Sequence, residues 1–369
     1  MTLQTVLSNF LIPYQQQHHL NAVQFKAIRH ISQCRTAALG GQWVKCSECD
    51  FEQLRFHSCR DRHCPKCQQQ ATDQWCEAQL TKILPVSYYH VVFTLPHELN
   101  GWVSWHGEVI YRCLFAAVWH TLKTFGADKK RLNGELGMIA ILHTWGQNLC
   151  RHVHLHCLIP GGALSHDQAQ WHEAKSNYLF PVRALSRHFR GTMVSTLRRA
   201  YNQRDLPRLD PADVNQRLQE LMAKQWVVYS KAHIKKPETV VRYLGRYTRK
   251  IAISESRMQS VDPDQVVFSY KDYRDGKNKS LSLPGVEFLR RFLLHILPTG
   301  FVRIRHYGFL SNRTITRKLE VIRRCLQCQE SKQEKETAEV IAKDCLCPQC
   351  RKGRLVVRHE IPARPIYGR

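Results

Sequence analysis

The stretch RHVHLHCLIPGG, residues 151–162, decides how the chain folds and where its chemistry sits. Imidazole and apolar side chains alternate there, and a period of two is the mark of a strand with two different faces. His152, His154 and His156 project to one face, while Val153, Leu155 and Cys157 project to the other. The second face packs on helices, which leaves the histidine face to line a cleft. Two imidazoles two residues apart on a rigid strand bind one cation at little ordering cost. His154 and His156 are the better pair, set in the apolar frame just before Gly161 and Gly162. Two neutral ligands leave a divalent ion its charge and its open positions, which suits polarising a phosphate more than holding a fold. A third protein ligand is expected, with Gln147, Glu135, His143 and His152 as candidates that spacing does not separate. Taken alone, the same pattern also fits an exposed strand of a histidine-rich protein.

Upstream, SYYHVVFTLPHEL (87–99) reads as a β-branched and aromatic strand ending at Pro96, and LGMIAILHTWG (136–146) as a short apolar strand or helix end. The whole chain has 369 residues, enough for a sizeable core and two or more domains. Its 55 Lys and Arg against 30 Asp and Glu give a net charge of +25. Such an excess favours a polyanionic partner, nucleic acid first and an anionic membrane surface second. No apolar run is long enough to span a bilayer, and MTLQTVLSNFLIPYQQQ lacks the basic start of a signal peptide. A soluble, cytoplasmic protein with no membrane partner is expected.

Fifteen cysteines need a reason in a reducing compartment, and most of them cluster. In VKCSECDFEQLRFHSCRDRHCPKC the pairs Cys46/Cys49 and Cys64/Cys67 are separated by 14 residues. Each C-x-x-C turn lets two thiolates face one ion, so the two pairs predict one tetrahedral Zn²⁺. Cys34, Cys59, His30, His57 and His63 are near enough in sequence to hold a second one. Toward the C-terminus, Cys325/Cys328 and Cys347/Cys350, 18 residues apart, predict a zinc ribbon with Cys345 as the spare thiol. No cluster leaves an open coordination position, so these ions are structural, holding small basic modules that grip DNA.

In KKPETVVRYLGRYTRKIAIS (235–254), Pro237 and Glu238 suit a first helical turn. Tyr243 and Tyr247, four apart, then share a helix face surrounded by Arg242, Arg246, Arg249 and Lys250. Core packing is the plain reading of such a pair, but guanidinium groups are costly in a dry core. A phenol attacking phosphorus stores the phosphodiester energy as a phosphotyrosine, and neighbouring cations offset the charge that develops. No carboxylate constellation supports a two-metal nuclease. Asp262, Asp264, Asp272 and Asp275 fit a turn and a solvated β-hairpin better. Arg303 and Arg305 are candidate phosphate contacts, and RRAYNQRDLPRLDPADVNQR (198–217) is a linker or helical insertion.

Together these motifs resemble the two-tyrosine rolling-circle transposases of bacterial insertion sequences, members of the HUH endonuclease superfamily (histidine, hydrophobic residue, histidine). The resemblance runs nearly end to end, through CRTAALGG, HSCRDRHCPKCQ, FTLPHEL, HTWGQNL, HVHLHCLIPGG, VVRYLGRYTRKIAIS and EFLRRFLLHILPTGFVRIRHYGFL. It implies that His154 and His156 hold Mg²⁺ or Mn²⁺, that Tyr243 and Tyr247 are the nucleophiles, and that Gln147 leads as third ligand. It further implies an α+β fold, an antiparallel sheet with the histidine strand central and the tyrosine helix across it, flanked by N-terminal and C-terminal zinc modules. The corresponding division is residues 1–80, 81–318 and 319–369. Single-stranded DNA of transposon ends and target is the implied partner, with nucleoid association when bound. A relaxase or replication initiator shares this chemistry, and a non-catalytic zinc-finger DNA-binding protein shares the cysteines and the charge.

Overall fold

The computed structural model describes residues 1–175, 177–234, 239, 245, 252–272, 274–327 and 346–364, with side chains for all of these except 68–72 and 232–234. The chain opens with two helices, α1 (Leu3–Gln17) and α2 (Ala22–Gln33), each started by a side-chain cap. Asn21 and Gln24 form a reciprocal capping box on α2. Strands β1 (Gly41–Cys46) and β2 (Glu52–Phe56) follow, then α3 (Pro65–Leu80), whose first helical residue is the proline of Cys64-Pro65-Lys66-Cys67.

Next come β3 (Tyr88–Thr94), the long helix α4 (Asn100–Ala127), β4 (Gly137–Trp145) and β5 (Arg151–Pro160). The short pair β6 (Gly162–Leu164) and β7 (Trp171–Glu173) leads to α5 (Val182–Asn202) and α6 (Pro211–Ala223). Residues 198–217 are thus the end of one helix and the start of another. Strand β8 (Val228–Ile234) precedes a small sheet of β9 (Met258–Val261), β10 (Gln265–Lys271) and β11 (Asn278–Pro284). Asp272 and Asp275 lie in the β10–β11 hairpin, where Lys279 pairs with both. The described chain closes with α7 (Gly285–Leu293), β12 (Ile304–Gly308), α8 (Ile315–Cys325) and β13 (Leu355–Ile361).

The main sheet is antiparallel throughout, in the order β12-β4-β5-β3-β8, so the histidine strand is its central member. Alternation along β5 sorts its two faces. Val153, Leu155, Cys157 and Ile159 join Tyr89, Val91 and Phe93 of β3 against α4 and α5. Each large aliphatic buried there contributes roughly 1.5–3 kcal/mol. On the opposite face, Leu158, Ile139 and Ile141 pack under Ile315, Leu319 and Ile322 of α8. That cover stops short of one end of the sheet, where His154 and His156 replace the aliphatic residues. The two glycines that end the opening stretch are there for close approach. A Cβ at Gly161 would lie 2.7 Å from the Ser87 carbonyl oxygen, and one at Gly162 would lie 2.5 Å from the Trp171 ring.

A second core joins the N-terminal helices to the small sheet and α7, with Leu3, Phe10, Ile31, Phe268 and Phe288 buried together. The C-terminal strand does not stand apart. β13 pairs antiparallel with β1 from Gly41↔Ile361 to Cys46↔Leu355 and makes a three-stranded sheet, β13-β1-β2. Among the described residues, no helix is long and apolar enough to cross a membrane.

Candidate metal centres

His154 and His156 stand on the sheet face opposite the α4–α5 core, both buried. Register brings a third imidazole to them: His143 of β4 lies directly across from His154. Nitrogens of His143, His154 and His156 all fall within 4.8 Å of one another. His154 Nε2 and His156 Nε2 are 3.0 Å apart, near the spacing of two imidazole nitrogens on one ion with bonds of about 2.0–2.1 Å. His154 is oriented by its other nitrogen, since Nδ1–H donates to the His152 carbonyl at 2.8 Å. The His156 ring is met at Nδ1 by Nε2 of His90, at 2.9 Å, from the same face of β3.

Burial keeps these rings neutral, because a charge there would lose its hydration. It lowers His154 to about 3 and His90 to about 4, and holds His156 well below the ordinary value; neighbouring imidazoles add to the effect at His154 and His156, and the Lys231 charge adds to it at His90. Neutral imidazoles are the form that binds metal. Trp145 stacks on His143 with ring centroids 4.5 Å apart, and the Arg303 guanidinium lies over the Trp145 ring at 5.8 Å from its centroid. Arg305 is turned elsewhere, over Phe115 and Phe301 at 4.2 and 5.3 Å.

The other candidates for third ligand have different places. Glu135 is ion-paired with Lys318. His152 is exposed and offers His154 its carbonyl. Gln147, placed first by the resemblance, is half-buried in the β4–β5 turn, and its backbone carbonyl accepts from Arg257. Tyr243, Tyr247, Arg242, Arg246, Arg249 and Lys250 lie outside the described residues, although Gly245 between the tyrosines is helical.

The thiols group differently from their order along the chain. Cys34, Cys59, Cys64 and Cys67 form one set, with Sγ–Sγ distances of 3.4 Å for Cys34–Cys67 and 3.6 Å for Cys59–Cys67. Cys46 and Cys49 instead meet Cys347 and Cys350, at 3.6 Å for Cys46–Cys350 and 3.7 Å for Cys49–Cys347. None of these is a disulfide. A tetrahedral Zn²⁺ with arms of about 2.3 Å sets sulfurs about 3.8 Å apart, so both sets suit one ion. Backbone N–H groups of Glu48 and Gly353 donate to Cys46 and Cys350, the donors expected around thiolates. The Gly353 and Lys352 amides hold the Cys350 thiol down at about 6. A Cβ at Gly353 would lie 2.4 Å from Cys46 Sγ, which excludes any larger residue.

The expected pairing of Cys46/Cys49 with Cys64/Cys67 is therefore corrected, as is that of Cys325 with Cys347/Cys350. Strand pairing between β1 and β13 overrides proximity in sequence. Cys325, at the end of α8, contacts the Ala169 carbonyl, while Cys328 and Cys345 lie outside the described residues. His63 is not a ligand of the first set. Its Nε2 accepts from the Leu297 amide and its Nδ1 donates to Asp61. Asp61 also takes His30, and His57 sits 3.8 Å from Glu360.

Buried imidazoles on the central strand of an antiparallel sheet, with two four-thiol clusters among the described residues that suit zinc, mark a metal-dependent nuclease of the HUH type. Comparison with known proteins carries the assignment further. A family model described as "Putative transposase" matches residues 137–318, and one described as "Transposase zinc-binding domain" matches residues 6–95. A Sinorhizobium fredii protein named "Putative transposase y4qJ" is 41% identical, covering 93% of this chain and 91% of its own. The transposase for insertion sequence element IS801 of Pseudomonas savastanoi pv. phaseolicola is 28% identical over 80% of this chain and 72% of its own. The chain belongs to the two-tyrosine, IS91-type transposase family. No solved structure matches it.

Sequence reasoning did not single out His90, and it left His143 one of four candidates. Both were visible as polar interruptions at alternate positions of apolar strands, YYHVVFT and MIAILHTW.

Proposed function

We propose that this transposase nicks and rejoins single-stranded DNA at transposon ends through 5′-phosphotyrosine links formed by Tyr243 and Tyr247. The observation that carries the reading is the converging set His143, His154 and His156 on one sheet face. Its three neutral nitrogens fit a divalent ion, with His143 preferred to Gln147 as third ligand. Imidazole donors favour Mn²⁺ over the oxygen-seeking Mg²⁺. Bound there, such an ion supplies Lewis acidity to the scissile phosphate.

The chain's own groups do the rest. One tyrosine attacks phosphorus in line, its proton leaves to solvent, and the departing strand keeps a 3′-hydroxyl. Arg242, Arg246, Arg249 and Lys250 offset charge on the phosphate oxygens. The second tyrosine cuts the other DNA, and a free 3′-hydroxyl then resolves the first link. Each broken phosphodiester is kept as an ester, so no nucleotide is spent. Arg303, over the Trp145 ring, holds a phosphate near the cut. The zinc-binding part of the chain, residues 1–80 joined by the β13 segment that completes the Cys46/Cys49 cluster, grips flanking DNA beside the nuclease. The reaction takes place in the cytoplasm, on nucleoid DNA.

Covalent capture tests this. Labelled single-stranded DNA from the element's ends, mixed with the protein and Mn²⁺, is expected to give a denaturant-resistant adduct that peptide mapping places on Tyr243 or Tyr247. An adduct on another residue sinks the assignment of nucleophile, and tight DNA binding with no adduct on any end sinks the mechanism.

A further inference from the structure

On the α4 side of the main sheet, the loop between α7 and β12 borders a cleft of about 400 Å³, a size at which small-ligand sites begin. Helix α4 lends Glu108 and Arg112 to its lining, and the loop and β12 lend Gly300, Phe301, Val302 and Arg305. The apolar part of this lining is firmly held. A tight turn bonds the Phe301 amide to the Pro298 carbonyl at 3.2 Å, with Gly300 at φ +75° as its third residue. Arg62, in the knuckle between Cys59 and Cys64, donates to the Phe301 carbonyl at 2.7 Å. The Phe301 ring packs edge-on to Tyr111 at 5.6 Å, and Val302 beside it is 59% exposed. The charged heads are not used up by the fold. Glu108 and Arg112 stand four apart on α4, the spacing at which such a pair closes into a salt bridge. Neither side chain forms an ion pair or hydrogen bond among the described residues. Arg305 lies over Phe115 and Phe301 and likewise pairs with no carboxylate among them.

The cleft is continuous with the nuclease face through one short segment. β12 is the end strand of the main sheet. Arg303 lies over Trp145, which stacks on His143, while Arg305, two residues on, lines the cleft. A single strand leaving the histidine face around this edge meets the cleft next. We propose that the cleft is a nucleotide subsite, taking one unstacked guanine of the single-stranded DNA that flanks the cut. The proposal rests on the reading of the chain as a single-strand nuclease. Arg112 and Arg305 hold the phosphates, and Phe301 and Val302 give the base an apolar surface to lie on. Glu108 decides which base. A carboxylate in an otherwise cationic cleft repels phosphate and calls for N–H donors. Guanine alone among the four bases sets two adjacent N–H groups, N1 and N2, on its Watson–Crick edge, a match for both carboxylate oxygens. Thymine flanks its one N–H with two carbonyl oxygens, which the carboxylate repels.

The test is binding of the full chain to short labelled oligothymidine, with and without guanine at every third position, read by fluorescence anisotropy with no Mn²⁺ added. Wild type is expected to prefer the guanine-bearing strand about tenfold, and Glu108→Ala to lose that preference. Arg112→Ala is expected to weaken both strands and to lower the slope of log affinity against log salt by about 0.7, the share of one phosphate on a single strand. Arg305→Met, which keeps a stem over Phe115, is expected to do the same. No preference in wild type, a preference that survives Glu108→Ala, or an unchanged salt slope in both arginine variants overturns the proposal. The nuclease reading fails separately. His154→Ala is expected to lose the covalent adduct and keep the guanine preference. A wild type that prefers guanine yet forms no adduct on any end upholds the cleft and sinks the nuclease.

Discussion

The histidine face and the cluster of Cys46, Cys49, Cys347 and Cys350 each gather side chains that suit one metal ion, yet the chain assembles them in opposite ways. His143, His154 and His156 lie within a single β-hairpin, and pairing between adjacent strands brings them together. Cys46 and Cys49 find the other half of their cluster at Cys347 and Cys350, some three hundred residues on. One centre is a local consequence of strand register. The other exists only once the fold has brought remote segments side by side. Mutations therefore separate them: changes at the first remove chemistry and leave the fold, and changes at the second remove fold.

The largest expected effect breaks the first member of that comparison. His154→Ala or His156→Ala is expected to lower nicking at least about 10³-fold, or about 4 kcal/mol of barrier, with zinc content unchanged by elemental analysis. Loss of zinc together with nicking would show that the two centres are not separable. The second breaks the other member. Replacing Cys347 and Cys350 by serine is expected to remove one equivalent of zinc and to destabilise β1 and β2 by several kcal/mol, seen as faster amide exchange there. Cys325→Ser is expected to leave the zinc count as it is, and a lost equivalent would restore the sequential pairing. A smaller effect sharpens the choice of third ligand. His143→Ala is expected to weaken Mn²⁺ binding about 10–100-fold and Gln147→Ala to leave it nearly unchanged, each measured by titration; the reverse ranking would return Gln147 to the site.

This comparison also explains what could be read from the sequence. Alternation in RHVHLHCLIPGG fixes a strand, its two faces and the histidine pair, because a period of two is a local property. The β10–β11 hairpin around Asp272 was legible too, because a polar turn between two segments is also a local property. Partner choice among knuckles was not. C-x-x-C predicts that two thiols face one ion but says nothing about which second pair completes the site. Sequence distance favoured Cys64/Cys67, whereas the β1–β13 ladder delivers Cys347/Cys350. His63 was drawn into the zinc set by proximity to Cys64, and its actual partners, Asp61 and the Leu297 amide, belong partly to a segment more than two hundred residues away.

The smallest expected effect concerns a buried histidine outside both centres. His295 donates from Nε2 to the Leu149 carbonyl and accepts from Thr144 at Nδ1, and burial lowers it to about 4 from 6.5. Below pH 6.5 the unfolded chain takes up a proton that the folded chain refuses. Its contribution is therefore complete above that pH and is lost as pH falls toward 4. A decline of about 1–2 kcal/mol between about pH 6.5 and 5 is expected in urea melts, and His295→Gln should flatten that slope. An identical slope in the variant would assign the decline to other groups.

The split ligand set has a consequence for how the molecule is made. While the ribosome is still elongating, Cys46 and Cys49 have already emerged, but their ladder partner β13 has not been synthesised. The first thiol set, Cys34 through Cys67, can close early; the second waits for Cys350. That second cluster of this transposase is thus completed only by a segment made long after Cys46 and Cys49, and a message cut short before Cys347 leaves it half-built.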